Sequence, residues 1–443
     1  MRYDLIIRGG TLVTHRETYR ADVAVLGDRI AKIGDLSSDE GTQEIDAEHL
    51  LVFPGLIDSQ VHFREPGLTH KEDIETGTKS ALLGGVTTVL EMPNTDPTTT
   101  TPKALADKVE RAQGRAWCDI GFFFGATTDN AHTLSEAENL PGTPGIKMFV
   151  GSSTGSLLVG EDEGIRLVLQ NGKKRVAIHS EDEARNAARK IEFAEKAAGN
   201  VRWHPTIRDA ESARLATERV IRLSEETGRA VHILHISTRD ELPVLADAKG
   251  RGLRVTCEVT PQHLWFCAPE DYDRLGSRIQ QNPPVRSKEH RDALWFALET
   301  GLFDVFGSDH APHTIEEKGK PYPGSPSGMP GVQTMLPVLM TYVAQGRLPV
   351  TEVARMACRN PARLYDMNDR GKVAEGFLAD LTLVDARASR VVTPDILASR
   401  CGWSPWENET LTGWPVAVIK SGVLAAADGE TIGTPVGGIP IFS

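Results

Sequence analysis

The chain lacks any long apolar run. The patch within MRYDLIIRGG is far shorter than the core of a signal peptide, and nothing approaches transmembrane length, so neither a leader nor a membrane span is expected. Cysteine is scarce: five residues, at 118, 257, 267, 358 and 401, odd in number and without a CxxC pair. That pattern reads as small, buried, reduced thiols of a cytoplasmic protein. Positive charge is in deficit, with 49 basic against 61 acidic residues and a net charge of −12, which argues against nucleic acid or an anionic membrane as the partner. It leaves a small anionic substrate open, because local fields decide that. Internal repeats and low-complexity linkers are absent as well.

What remains is globular in composition, 40% apolar and 25% charged. At 443 residues the chain exceeds one ordinary core but suits a large barrel with a small appended domain. The start reads as β: YDLIIRGGTLV is a strand closed by a Gly-Gly turn, and ADVAVLGDRIAKIG is a hairpin turning at Gly27-Asp28. GKVAEGFLADLTLVD and WPVAVIKSGVL, near the other end, have the same character. Residues 1–50 and 366–443 are therefore expected to build one small β-sandwich, flanking a different middle at 51–365.

That middle alternates short apolar strands with helical segments. LLVFPGLID, VTTVLEM, DIGFFFG, GIKMFV, RVAIH, VHILH, LRVTCEV and FDVFGSD make eight strands. HKEDIETGTKSALLGG is a helix with Ile74, Thr78, Ala81 and Leu82 on one face and a stop at Gly84-Gly85. Eight parallel strands with intervening helices predict an α/β fold, a (β/α)8 TIM barrel.

Chemistry in such barrels sits at the C-terminal strand tips. Taken in order, the tips carry Asp58, Gln60, His62 and Arg64; Asn94; Lys147; His179; His235; Glu258 and Thr260; then Asp309, His310 and His313. One histidine at a strand end is ordinarily a packing residue. Several imidazoles with an aspartate on separate tips instead suit a borderline divalent cation such as zinc. Lys147 is unusual inside GIKMFV, since burying an unpaired ammonium is costly. Two readings follow for it: a salt-bridged lysine, or a neutral amine that takes up carbon dioxide as a carbamate. Glu258 and the tryptophans, taken as exposed, are assigned to structure, and His15, His49, His70, His132, His204 and His290 to the surface.

The motifs PGLIDSQVHFREPG, EMPNTDP, GIKMFVGSSTG, HSEDE, LHIST, TCEVTPQHL, QNPPVR and GSDHAPHT resemble those of the dihydroorotases of the amidohydrolase superfamily, over nearly the whole chain. The resemblance implies a barrel with a β-sandwich, a carboxylated lysine and one or two zinc ions. It implies that His62, Lys147 and Asp309 hold the more buried metal, and that Lys147 bridges to a second held by His179 and His235. Arg64, Asn94 and His313 would grip a substrate carboxylate. Asn282 would line the pocket, and the loop from Glu316 to Gly331 would offer backbone groups to the ring. Two positions depart from the family pattern: Gln60 replaces the first histidine of an HxH pair, and Gln262 one of a TPHHL motif.

The activity so implied is the metal-assisted, reversible opening of dihydroorotate to N-carbamoyl-aspartate, with Asp309 moving the proton. The substrate is the expected partner, with self-association into a homo-oligomer. The alternatives are another cyclic amidohydrolase of the hydantoinase or allantoinase kind, and an inactive scaffold for aspartate transcarbamoylase.

Overall fold

The computed structural model describes residues 2–152 and 157–442. Ser153, Thr154 and Gly155, the end of the GIKMFVGSSTG motif, lie outside the described residues.

Each of the eight apolar runs forms a strand. They are β1 (Leu56–Val61), β2 (Val86–Glu91), β3 (Asp119–Phe122, resumed at Phe124–Gly125), β4 (Ile146–Phe149), β5 (Val176–His179), β6 (Val231–Ile233), β7 (Val255–Val259) and β8 (Val305–Phe306). All neighbours in this order pair in parallel, in two arcs. The arcs meet inside β3, where Phe123 interrupts the ladder and donates its N–H to Glu91 O at 2.9 Å. At the far ends a parallel bridge joins Val61 to His310, and His62 N donates to His310 O at 2.7 Å. The strands are buried on both sides, which is why their sequences read as continuous apolar runs and not as alternation.

The helix after β1 runs Ile74–Leu83, with Asp73 and Thr76 forming a reciprocal capping box and Gly84 at its end. Its buried face includes Ile74, Thr78, Ala81 and Leu82, as the periodicity predicts. One expectation needs correction. LLVFPGLID is two strands, because the chain changes sheets at Gly55: Leu51–Pro54 pairs with Leu381–Val391, and only Leu56–Val61 enters the parallel set. A Cβ at Gly55 would lie 2.1 Å from Thr87 Oγ1, so a side chain cannot be accommodated at this crossing.

The chain ends form two further sheets. Arg29–Gly34, Asp22–Leu26, Arg2–Arg8 and Glu40–Asp46 make one; seven strands, from Thr11–Val13 and Leu51–Pro54 to Thr410–Lys420, make the other. Leu5, Val23 and Val25 from the first meet Leu12, Val52 and Ile419 from the second in a core of their own. A buried charge cluster ties this part to the foot of β3. Arg370 Nη1 donates to Asp119 Oδ2 at 2.6 Å, and Lys420 Nζ lies 3.1 Å from both Asp119 and Asp380.

The tryptophans correct another expectation. Trp117, Trp295, Trp403, Trp406 and Trp414 are buried, and the indole N–H groups of Trp295, Trp403 and Trp414 donate to backbone carbonyls. No helix among the described residues is long and apolar enough to cross a membrane. All five cysteines are free; Cys118, Cys257 and Cys358 are buried and Cys267 and Cys401 half-buried.

Candidate active site

The tip of β1 turns outward through Arg64, whose φ is +65°; His235 and Asp309 at other tips also have positive φ, +39° and +44°. Such backbone costs a non-glycine residue on the order of 1–3 kcal/mol and is retained where surrounding contacts over-determine it. Here those contacts hold side chains pointing into one polar interior.

Two donor pairs lie at these tips. His62 Nε2 lies 3.2 Å from Asp309 Oδ1, and His179 Nδ1 lies 3.1 Å from His235 Nε2. His62 Nδ1 is 2.7 Å from Asn94 Oδ1, so the proton belongs on Nδ1 and the Nε2 lone pair faces a carboxylate oxygen. His179 Nε2 lies 3.0 Å from Glu181 Oε2, on the side of the ring away from His235. That contact lacks hydrogen-bond angles, and His235 Nδ1 has no partner either. Burial pushes all three imidazoles down in pKa, His235 well below the ordinary value, and so keeps them in the neutral form that binds metals.

A divalent cation fits this arrangement. Two donor atoms on a tetrahedral ion with bonds of about 2.0–2.1 Å lie roughly 3.3 Å apart, and both pairs have that spacing. Among the described residues, however, no three His, Cys, Asp or Glu side chains converge as a metal-holding group. Each pair needs a further donor. Lys147 is the group at hand: its charge acts on His62, His179 and His235, and Asp309 acts on it in turn. It is buried, has no carboxylate partner among the described residues, and lies over the Phe149 ring at 4.5 Å. Burial brings its pKa down to about 7, opposed by Asp309 and Glu258. The salt-bridged reading of Lys147 therefore fails.

Gln60 turns its amide N–H to Asp309 Oδ1 at 3.0 Å, which leaves its carbonyl oxygen buried without a partner. Gln262 repeats the pattern one layer away, donating to Ser308 O at 2.7 Å with its own oxygen unpartnered. Beneath them Glu258 accepts from Ser59 Oγ and from His235 N, and burial raises its pKa to about 8.

Toward the mouth, Arg64 donates through Nε to Pro312 O at 3.0 Å, and its Nη2 lies 3.3 Å from His313 Nε2. His313 Nε2 donates to Ser327 O at 3.0 Å while Nδ1 accepts from Lys71 Nζ at 3.2 Å. The His313 ring is thereby fixed beside Arg64, and among the described residues no carboxylate pairs with the buried guanidinium. Burial lowers its pKa only to about 10, so it stays charged. Asn282 lines a cavity of about 380 Å³ with Ser152, Arg208, Tyr322 and Ser327.

Some side chains escaped sequence reasoning. His204 is buried, not a surface residue, and its Nε2 lies 3.0 Å from Asn282 Oδ1. Of the other five set aside, His49, His70 and His132 are exposed and His15 and His290 half-buried. Glu181, held well below the carboxylate range by Arg208 and His179 against the pull of burial, braces His179. Glu181 was within a quoted motif, but nothing in the local sequence marked Arg208. His310 accepts at Nδ1 from Gly331 and Val332 and points Nε2 at Glu72, 3.4 Å away, so it serves the scaffold.

The chain belongs to the amidohydrolase family, whose model matches residues 51–425. Within that class it is similar to dihydroorotases: 35% identical over 417 residues to that of Halobacterium salinarum, covering 93% of this chain and 94% of that protein. To the dihydroorotase of Bacillus subtilis it is 34% identical over 437 residues, 97% and 99% of the two chains. Among solved structures it superposes on the L-hydantoinase (dihydropyrimidinase) from Arthrobacter aurescens with a TM-score of 0.94 at 28% identity, covering 98% and 99%.

Proposed function

We propose that this protein is a dihydroorotase, opening and closing the cyclic amide between dihydroorotate and N-carbamoyl-aspartate. Arg64 carries the reading. A buried guanidinium with no carboxylate partner of its own, held beside His313, suits a ligand carboxylate, and hydantoin or dihydrouracil rings lack one. The high structural similarity to a hydantoinase reflects the shared scaffold; the sequence relatives and Arg64 both favour the carboxylate-bearing ring.

In this reading the two arcs are one (β/α)8 barrel. Residues 51–365 form that metal-dependent barrel, and residues 1–50 and 366–443 the β-sandwich. Lys147 is carboxylated: its neutral amine adds to carbon dioxide with loss of a proton, giving an anionic oxygen donor for each pair. His62, Asp309 and the Lys147 carbamate would hold one zinc, and His179, His235 and the same carbamate another. Bound there, a divalent cation supplies a Lewis acid for the amide carbonyl and acidifies water. Asp309 accepts the proton of the attacking water and returns it to the leaving ring nitrogen. Asn94 keeps the His62 lone pair directed at the site, Arg64 and His313 fix the ring through its carboxylate, and Asn282, braced by His204, closes the pocket. Self-association, a cytoplasmic setting and contact with aspartate transcarbamoylase belong to the same proposal.

The test is direct. Purified protein loaded with zinc and bicarbonate is offered dihydroorotate, dihydrouracil and hydantoin under one assay. Preferential production of N-carbamoyl-aspartate supports the reading. Faster turnover of the neutral rings would replace it with a hydantoinase, and no turnover despite bound metal with the inactive scaffold.

A further inference from the structure

Lys318 ends a single helical turn, Ile315–Lys318, that Thr314 and Glu317 cap reciprocally. Flanked by Glu316, Glu317 and Lys320, it has the sequence setting of a surface lysine, yet it is 1% exposed. Its Nζ donates to three backbone carbonyls: Gln280 O at 3.0 Å, Pro326 O at 2.8 Å and Gly328 O at 2.9 Å. No carboxylate neutralises it among the described residues. Burial and the neighbouring Arg64 charge push its pKa down. A neutral amine has only two N–H bonds and could not serve three acceptors, so the geometry requires the ammonium.

The three carbonyls are not arbitrary. Pro326 and Gly328 flank Ser327, whose own carbonyl receives the His313 Nε2 proton and whose hydroxyl lies 3.2 Å from Gln280 Nε2. Gly328 has φ +136°, and a Cβ there would stand 2.4 Å from Ala311 O, so this strap is pressed against the chain leading from β8 to His313. Lys318 therefore clamps the backbone that orients His313 beside Arg64.

We propose that Lys318 is a positioning and specificity residue for anionic substrates: it fixes Ser327 against His313, and its unneutralised ammonium biases the Arg64–His313 pocket toward a ligand carboxylate. The inference rests on the dihydroorotase reading and adds to it a second buried cation outside direct substrate contact.

The experiment compares Lys318→Met and Lys318→Arg with wild-type holoenzyme. For Lys318→Met, KM for dihydroorotate should rise roughly tenfold or more while kcat stays within about threefold and metal content is unchanged. Lys318→Arg, which restores the charge without the three-carbonyl geometry, should recover part of that loss. An unchanged KM, or kcat and metal falling together, overturns the proposal. If Lys318→Met does not fold, Lys318→Gln takes its place. If neither does, Lys318→Arg alone decides: with the three-carbonyl geometry lost, its KM for dihydroorotate should rise. An unchanged KM in that variant overturns the proposal. Wild type that fails to turn over dihydroorotate sinks the activity reading alone, because orotate binding by the Lys318 variants against wild type still tests Lys318.

Discussion

Arg64 Nη2 stands 3.3 Å from His313 Nε2, whose one proton is committed to Ser327 O, which leaves the guanidinium as the uncommitted donor of the two. Substrate anchoring should accordingly depend on Arg64. A charge-assisted contact contributes about 1.5–3 kcal/mol, so Arg64→Met should lower kcat/KM for dihydroorotate roughly 10- to 150-fold. Metal content should not move. Elemental analysis showing equal loss of metal would make Arg64 a scaffold residue instead.

Lys147 has a different test. The proposed carbamate makes it the anion that both donor pairs need, so Lys147→Ala should abolish turnover and release metal. Short carboxylic acids in solution should restore part of both, since they supply the missing oxygens. A variant with wild-type turnover would remove the carbamate from the mechanism.

The part of this site legible in the sequence is the part set by topology. His179, His235 and Asp309 each close or follow a short apolar run and Lys147 interrupts one, so once the runs are read as parallel strands their convergence follows. What escaped depends on packing between distant segments. His204 lies between the fifth and sixth strands in sequence, and its burial comes from Tyr322 and Asn282 folding over it. Lys318 sits in an acidic, polar stretch, and only the return of residues 326–328 encloses it. The split of LLVFPGLID at Gly55 is hidden for a related reason: both halves are apolar, and only their partners, Leu381–Val391 on one side and Val86–Glu91 on the other, distinguish the sheets.

The junction between the parts carries its own prediction. Arg370 and Lys420 share Asp119, and Lys420 also meets Asp380. Removing one member of a buried charge network typically costs about 3–5 kcal/mol, because the partner is left unpaired. Arg370→Met should therefore lower the urea midpoint substantially, and adding Asp119→Asn should give some of that loss back. Single substitutions within about 0.5 kcal/mol of wild type, the range of ordinary surface changes, would show the network to be inert.

The last prediction concerns Gln60, the amide standing where an imidazole is the family pattern. In the structure its N–H group is spent on Asp309, the carboxylate that also faces His62. To lend its oxygen to a cation the amide must turn over and surrender that hydrogen bond. Even then a neutral carbonyl is a weaker donor to zinc than imidazole. The His179–His235 pair, with no such competitor, should fill first, and the His62–Asp309 pair should stay partly empty or exchange readily. Titration with zinc in bicarbonate, followed by elemental analysis after brief chelation, should find close to one tightly held ion per chain. Gln60→His should raise that number toward two and slow the loss of the second ion to chelator. If wild type already retains two ions through chelation and Gln60→His changes nothing, the amide is a full ligand and this account of it is wrong.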